Sequence, residues 1–264
     1  MEALKGQQFF IITMSPTAPR DTHSKLVLAA AKAGVPYIMP NSYAGDIEHI
    51  RLGADTLLGP IAKADREQIE QLGMQWLTVC CGFWYDYSLA GGEARFGFDF
   101  DKHTLTMYDD GNTKISVSTL AQVGRAVAKV LSFKLFPEDA EDDSLTVSSW
   151  LNNAVYLKSF VVSQHEMFES VKRVTATSNA DWSIAHEVTK QRYEQGLALV
   201  KQGNMSGFGK LLYSRAFYPE DPSNCAAKAQ NVQLGLPDEE LDSATRDGIE
   251  LVKELQKRPG RMAS

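Results

Sequence analysis

The chain has 264 residues, 44% of them hydrophobic and 23% charged; this is ordinary globular usage, which excludes a mainly disordered chain and leaves room for one or two domains. Lys and Arg total 27 against 33 Asp and Glu, a formal net charge of −6, so nucleic acid, which needs a basic footprint, is not an expected partner. No apolar run approaches the roughly 18 residues of a membrane-crossing helix, so no membrane partner is expected either.

"MEALKG" has the look of the last turn of a helix, with Lys5 near its end and Gly6 at the stop. It runs into "QFFIITMS", an apolar run typical of a buried parallel strand. "DTHSKLVLAAAKAGV" reads as a helix capped by Asp21 or Thr22 and ended by Gly34, with Leu26, Ala29, Ala30 and Ala33 as its apolar face. "PYIMP" is a short strand, and the stretch 41–60 after it reads as a loop, of a length that usually marks a lid or binding segment. The helix "IAKADREQIEQLG" and the strand "QWLTVCC" then complete a strand–helix–strand–helix–strand alternation. That alternation predicts a parallel sheet flanked by helices.

From residue 94 the pattern changes. "ARFGFDFD" and "HTLTMYDD" alternate as an antiparallel pair does, "TKISVS" is a further strand, and "TLAQVGRAVAKVLSF" a helix. "PEDAEDDS" is an acidic surface loop. Helices are expected in "SQHEMFESVKRVT", "TKQRYEQGLALVKQG", "GFGKLLYSRAFY" and a last segment begun by Pro237, with a frayed tail "PGRMAS". The layout is therefore an α/β core over residues 1–136, with an inserted antiparallel pair near 94–118, and a mostly helical portion over 137–264 packed on it.

Motifs with self-sufficient chemistry are missing: there is no nucleophile elbow, no H-E-x-x-H and no metal-binding spacing. The N-terminus lacks the basic start and long apolar core of a secretory signal, which gives the sequon at Asn204 little meaning. Cys80, Cys81 and Cys225 show no C-x-x-C spacing, and a reduced, cytoplasmic protein is expected. In open α/β sheets ligands bind beyond the carboxyl ends of the strands. Those ends are Thr13 to Pro16, Pro40 to Tyr43 and Cys81 to Trp84, where Phe83, Trp84 and Tyr85 can wall an aromatic or nicotinamide ring. His49 lies in the long loop, and Lys63 begins the helix before the third strand. Lys63 is the best single candidate for acid–base work.

The ordered segments resemble the NmrA-like and isoflavone-reductase-like proteins, fungal type, of the atypical short-chain dehydrogenase group. "LVLAAAKAGVPYIMPNSYAGD" is similar to their "AAKxAGVKRFIPSEFGxD", "GMQWLTVCCGFWYDY" to "GLxWTxVxxGFFxDY", and "YDDGNTKISVSTLAQVGRAVAKVL" to "GDGNTKxSxTTLxDIGRxVAxVL". The resemblance implies a Rossmann-like domain with a smaller, helix-rich α+β substrate portion. It implies NADP(H), or NAD(H), as cofactor and a small, often aromatic, metabolite as substrate, in secondary-metabolite biosynthesis. Cofactor contacts carry over to Thr13, Met14, Ser15, Lys63, Cys81, Gly82 and Phe83, and a catalytic role to Lys63, one residue out of the family's spacing to Gly73. Tyr43, His49 and Trp84 are the substrate-side candidates.

One departure stands out. The family's G-x-x-G-x-x-G phosphate cradle has no counterpart here, and by alignment about 70 to 80 residues with the first three strands are expected to be missing. Cofactor binding would then be weak, and the "FFIIT" strand would become an open edge suited to self-association. The competing expectations are a non-enzymatic NAD(P)-sensing regulator and a truncated form that binds no cofactor.

Overall fold

A computed structural model describes residues 2–15 and 18–257. The opening apolar run forms β1 (Phe9–Ile11), and the Ala-rich stretch forms α1 (Thr22–Ala33). Helix α1 stops at Gly34, whose φ of +78° suits a residue without Cβ. Its buried face is His23, Val27 and Ala30, one step round from the face expected. There follow β2 (Tyr37–Met39), β3 (Tyr43–Ala44), α2 (Ile50–Asp55), α3 (Gly59–Gln71) and β4 (Gln75–Cys80). The stretch 41–60 is therefore not one long loop, since it contains β3 and α2. The reason is backbone satisfaction: β2 pairs only with Gln75 and Trp76 of β4, and β3 takes over the same edge at Val79 and Cys80.

The chain continues through β5 (Phe83–Trp84), α4 (Tyr85–Leu89), β6 (Phe98–Asp99), β7 (Thr104–Tyr108), β8 (Ile115–Ser118) and α5 (Leu120–Leu131). β6 and β7 are the expected antiparallel pair. The final part holds β9 (Asn153–Tyr156), β10 (Phe160–Val162), α6 (Gln164–Thr175), β11 (Ser183–Glu187), α7 (Thr189–Lys201), α8 (Gly207–Ala216) and α9 (Leu241–Gln256). Three strands thus interrupt a segment read as helical. β9 lies parallel along the second edge of β4, from Leu77 to Cys80. β10 adds antiparallel to β8, and β11 adds parallel to β7.

The main sheet runs β1-β2-β4-β9, all parallel, with β3 paired to β4 beyond the end of β2. Among the described residues β1 pairs with β2 alone, which leaves the open edge expected for "FFIIT". Two smaller sheets, β10-β8-β5 and β11-β7-β6, carry the rest. α5 covers one face of the main sheet: Val123, Ala126 and Val130, at helical spacing, pack on Leu77, Val79 and Cys81, at strand spacing. On the other face Val27 and Ala30 of α1 and Ile69 of α3 meet Ile38 and Trp76. Ser163 and Glu166 form a reciprocal capping box that starts α6.

Pro237 does not start α9, which begins at Leu241. Its carbonyl accepts from Gln122 Nε2, and Glu239 accepts from Thr119 and Ser159 and pairs with Arg125, so the stretch is held extended against the start of α5. No described helix is long and apolar enough to cross a membrane. Pro16, placed at the end of the first strand, and the tail 259–264 lie outside the described residues.

The passage from β4 to β5 turns at Gly82, which has φ +66° and lies so close to β8 that a Cβ would sit 2.1 Å from Ser116 O. Gly82→Ala is therefore expected to cost about 3 kcal/mol of stability through backbone strain and overpacking. Urea unfolding of the variant beside the parent protein measures that loss.

Candidate functional site

Because β1, β2 and β4 are parallel, their carboxyl ends fall on one rim of the sheet. At the first, Thr13 and Ser15 are exposed and Met14 is half-buried. Asn41, just past β2, clamps this end: its Oδ1 accepts from Met14 N–H at 3.0 Å and its Nδ2 donates to Met14 O at 3.5 Å. Asn41 was not among the sequence candidates, although it stands in a strand-end segment that the sequence marks. At the third end Cys81 and Gly82 are buried, and both N–H groups donate to Ala44 O, at 2.9 and 3.1 Å. Ser118 Oγ donates to Cys81 O at 2.7 Å.

The aromatic residues divide between two clusters. Phe83 turns into the core beneath the smaller sheets, 4.6 Å from the Tyr213 ring. Tyr43 and Trp84, both half-buried, pack on the α5 face with Val79 and Cys81. Trp84 meets Tyr87 edge-on at 5.8 Å, and the Arg95 guanidinium lies 4.1 Å over the Tyr87 ring. Burial pushes the Tyr43 hydroxyl well above the usual tyrosine range, so it stays protonated. The Cys81 thiol is likewise pushed up, mainly by burial and against the opposing effect of the Trp84 indole beside it. Cys80 and Cys225 are also buried and unbridged.

His49 and Lys63 make their bonds to residues outside the rim. His49 Nδ1 accepts from Leu52 N–H at 3.0 Å, capping α2, which leaves Nε2 to donate to Asp221 Oδ1 at 2.8 Å. Lys63 is 71% exposed and pairs with Glu67 at 3.2 Å, one helical turn along α3. Helix α3 starts on the carboxyl-end side of the sheet, since it runs back to feed β4, and Lys63 sits near that start.

An electrostatic brace that no sequence candidate marked ties this segment to α8. Arg215, fully buried, donates from Nε to Asp55 Oδ2 at 2.6 Å and from Nη2 to Asp221 Oδ2 at 2.5 Å. Tyr193 donates its hydroxyl to Asp55 O. The only local hint is the turn-rich "YPEDP" after α8.

The rim presents the half-buried rings of Tyr43 and Trp84. Its backbone donors at Met14, Cys81 and Gly82 are already spent, so these residues form no N–H cradle for a pyrophosphate. Among the described residues no three His, Cys, Asp or Glu side chains are placed to hold a metal ion.

No family model matches the sequence. The oxidoreductase aprR of Aspergillus flavus is 23% identical over 218 residues, 80% of this chain and 66% of that protein; the chain thus spans a little under two thirds of the length of this curated relative. In structure, the protein described as "AtPrR2 with NADP+ and (+)pinoresinol" matches with a TM-score of 0.65 and 18% identity, over 93% of this chain and 76% of its own. A chain from a study of pinoresinol-lariciresinol and phenylcoumaran benzylic ether reductases, and their relationship to isoflavone reductases, matches with a TM-score of 0.64 and 19% identity, over 92% and 76%. The chain therefore has the α/β fold of the isoflavone-reductase-like proteins, as the sequence resemblance implied, and a fungal oxidoreductase among its relatives.

The brace has a measurable acid limb. Burial alone would raise the Asp221 carboxyl, but Arg215 and His49 outweigh it and hold the pKa below the ordinary value. A carboxylate held low contributes stability above its unfolded pKa of about 3.9, and the contribution disappears as pH falls through the folded value. Asp221→Asn is expected to lose about 2 kcal/mol near neutral pH, because Arg215 keeps Asp55 but loses one of its two anions. The variant should also show a flatter decline below about pH 4. Urea unfolding across that range checks both.

Proposed function

We propose that this chain belongs to an NAD(P)H-dependent oxidoreductase that reduces a small aromatic metabolite in secondary metabolism and works in the cytoplasm. The observation that carries the reading is the strand-end rim, walled by the half-buried rings of Tyr43 and Trp84, on the fold of a reductase whose solved structure holds NADP+ and pinoresinol. The cofactor, when bound, supplies a hydride. Thr13, Met14 and Ser15 line the first strand end beside it, Cys81 and Gly82 shape the floor, and Phe83 anchors that floor in the core. Tyr43 and Trp84 orient the substrate ring, His49 holds the lid segment through Asp221, and Lys63, turned away from Glu67, delivers the proton that completes reduction of the carbonyl oxygen. On this reading residues 1–136 form the cofactor-binding core, which also carries the substrate-ring residues, and 137–264 pack on its substrate side, although β9 of the second portion returns to the main sheet. The open edge of β1 is the surface we assign to self-association.

A second reading, a non-enzymatic NAD(P)-sensing protein, is favoured by one observation: the Lys63 ammonium sits on the exposed face of α3, engaged with Glu67. NADPH oxidation with a panel of aromatic ketones and quinones, together with calorimetric titration of NADPH, separates the two. The reductase reading expects turnover that Lys63→Ala lowers by about 100-fold or more. Binding without turnover on any compound transfers the assignment to the sensor, and no binding removes both.

A further inference from the structure

Arg51, Arg125, Arg173, Arg192 and Arg215 are each paired with at least one carboxylate. Arg95 is different. It is half-buried, and among the described residues no carboxylate pairs with it. Its guanidinium is nonetheless held in place. Nη1 donates to Tyr87 O at 2.9 Å, Nη2 donates to Tyr87 Oη at 3.1 Å, and the group lies 4.1 Å over the Tyr87 ring. The stem rests against Gly91, where a Cβ would come within 1.9 Å of Arg95 Cδ. A cation that has given up part of its water without gaining an anion is a standing cost, so this fixed and unneutralised guanidinium calls for a cause.

The group is next to the strand-end rim. Tyr87 meets the half-buried Trp84 edge-on at 5.8 Å, so one ring separates the guanidinium from Trp84. The charge of Arg95 also reaches Tyr213: burial pushes that hydroxyl up to about 12, and Arg95 acts against the rise. The Tyr213 ring in turn lies 4.6 Å from Phe83. Arg66 is the other half-buried arginine without a carboxylate among the described residues, but it lies over Trp76, on the face of the main sheet opposite the Trp84 cluster.

We propose that Arg95 binds the carboxylate of the aromatic substrate, with the exposed parts of Trp84 and Tyr87 alongside its ring. This rests on the reductase reading for the place of the ligand and deepens it by naming the substrate as an aromatic acid. The two bonds to Tyr87 leave the remaining guanidinium N–H donors unspent. Their planar fork matches a carboxylate in a way that a mobile ammonium does not. Stacking on Tyr87 orders the side chain before the ligand arrives, which lowers the entropy lost on binding.

The test is calorimetric titration of the full chain at neutral pH, without cofactor, with cinnamate and with cinnamamide, which share the ring and differ in the anion. The parent protein is expected to bind cinnamate at least about tenfold more tightly than cinnamamide. Arg95→Gln should bring the two affinities level. Arg95→Lys, which keeps the charge and loses the fork, should fall between, with circular dichroism showing that each variant folds. NADPH is titrated into the same proteins, and its affinity should not change. An absence of binding by either compound, equal affinities in the parent protein, or a full preference surviving in either variant overturns the proposal. So does a loss of affinity confined to NADPH, which assigns the guanidinium to a cofactor phosphate. An Arg95-dependent preference for cinnamate without any NADPH oxidation leaves the carboxylate site standing and removes the reductase reading. Turnover of neutral aromatic ketones by a protein that does not bind cinnamate does the opposite.

Discussion

A fully buried central strand must have both of its backbone edges satisfied along its whole length, and β4 is where that requirement shapes this protein. β2 covers only the first part of one edge, so the chain supplies β3 for the remainder, and it returns more than seventy residues later with β9 for the other edge. Each addition brings functional chemistry with it. β3 delivers Tyr43 to the rim, and β9 delivers Tyr156, whose hydroxyl donates to Asp46 at 2.8 Å and secures the segment that leads to His49. Past Cys80 the strand must leave the sheet, and the close approach of Gly82 to Ser116 lets it do so without breaking the core. The same turn sends Phe83 into one cluster and Trp84 into the other.

Two buried guanidinium groups hold the helical part onto this frame. Arg215 bridges Asp55 and Asp221, while Arg192 pairs with Glu93 and Glu187 at 2.7 Å each and lies 4.9 Å over the Tyr108 ring. A buried cation without its anions would be strongly unfavourable, so each arginine specifies where its carboxylates must sit. Arg215 thereby places α2 against α8, and Arg192 places α7 against the sheet of β7. The rim candidates of the first sheet are thus positioned by hydrogen bonding along strands, whereas His49 is positioned by its bonds to Leu52 N–H and to Asp221, a carboxylate that Arg215 holds.

Much of the fold was legible because its elements announce themselves locally. The alternation from β1 to β4, the pair β6 and β7, and the helices α5 to α8 follow from periodicity, caps and turn residues. The strand ends follow from that alternation, which is why Thr13, Met14, Ser15, Tyr43 and Cys81 to Trp84 could be named at all. β9, β10 and β11 were hidden for a physical reason: their sequences are short and bounded by polar residues, and they become strands only because a partner edge awaits them. Pro237 carried a sound helix-start signal, but contacts from Glu239 to Thr119, Ser159 and Arg125 outweighed it.

By itself the sequence determined the α/β class, the parallel order of the first strands and the rim on which function is sought, since each depends on residues within a few positions of one another. Only the tertiary structure decided what the side chains at that rim do. His49 meets Asp221 across 172 residues and Arg215 meets Asp55 across 160, so neither bond leaves a local trace. The burial of the Tyr43 hydroxyl is likewise invisible in the sequence. Whether a hydroxyl or an indole N–H finds a partner depends on what the fold brings within about 3 Å of it.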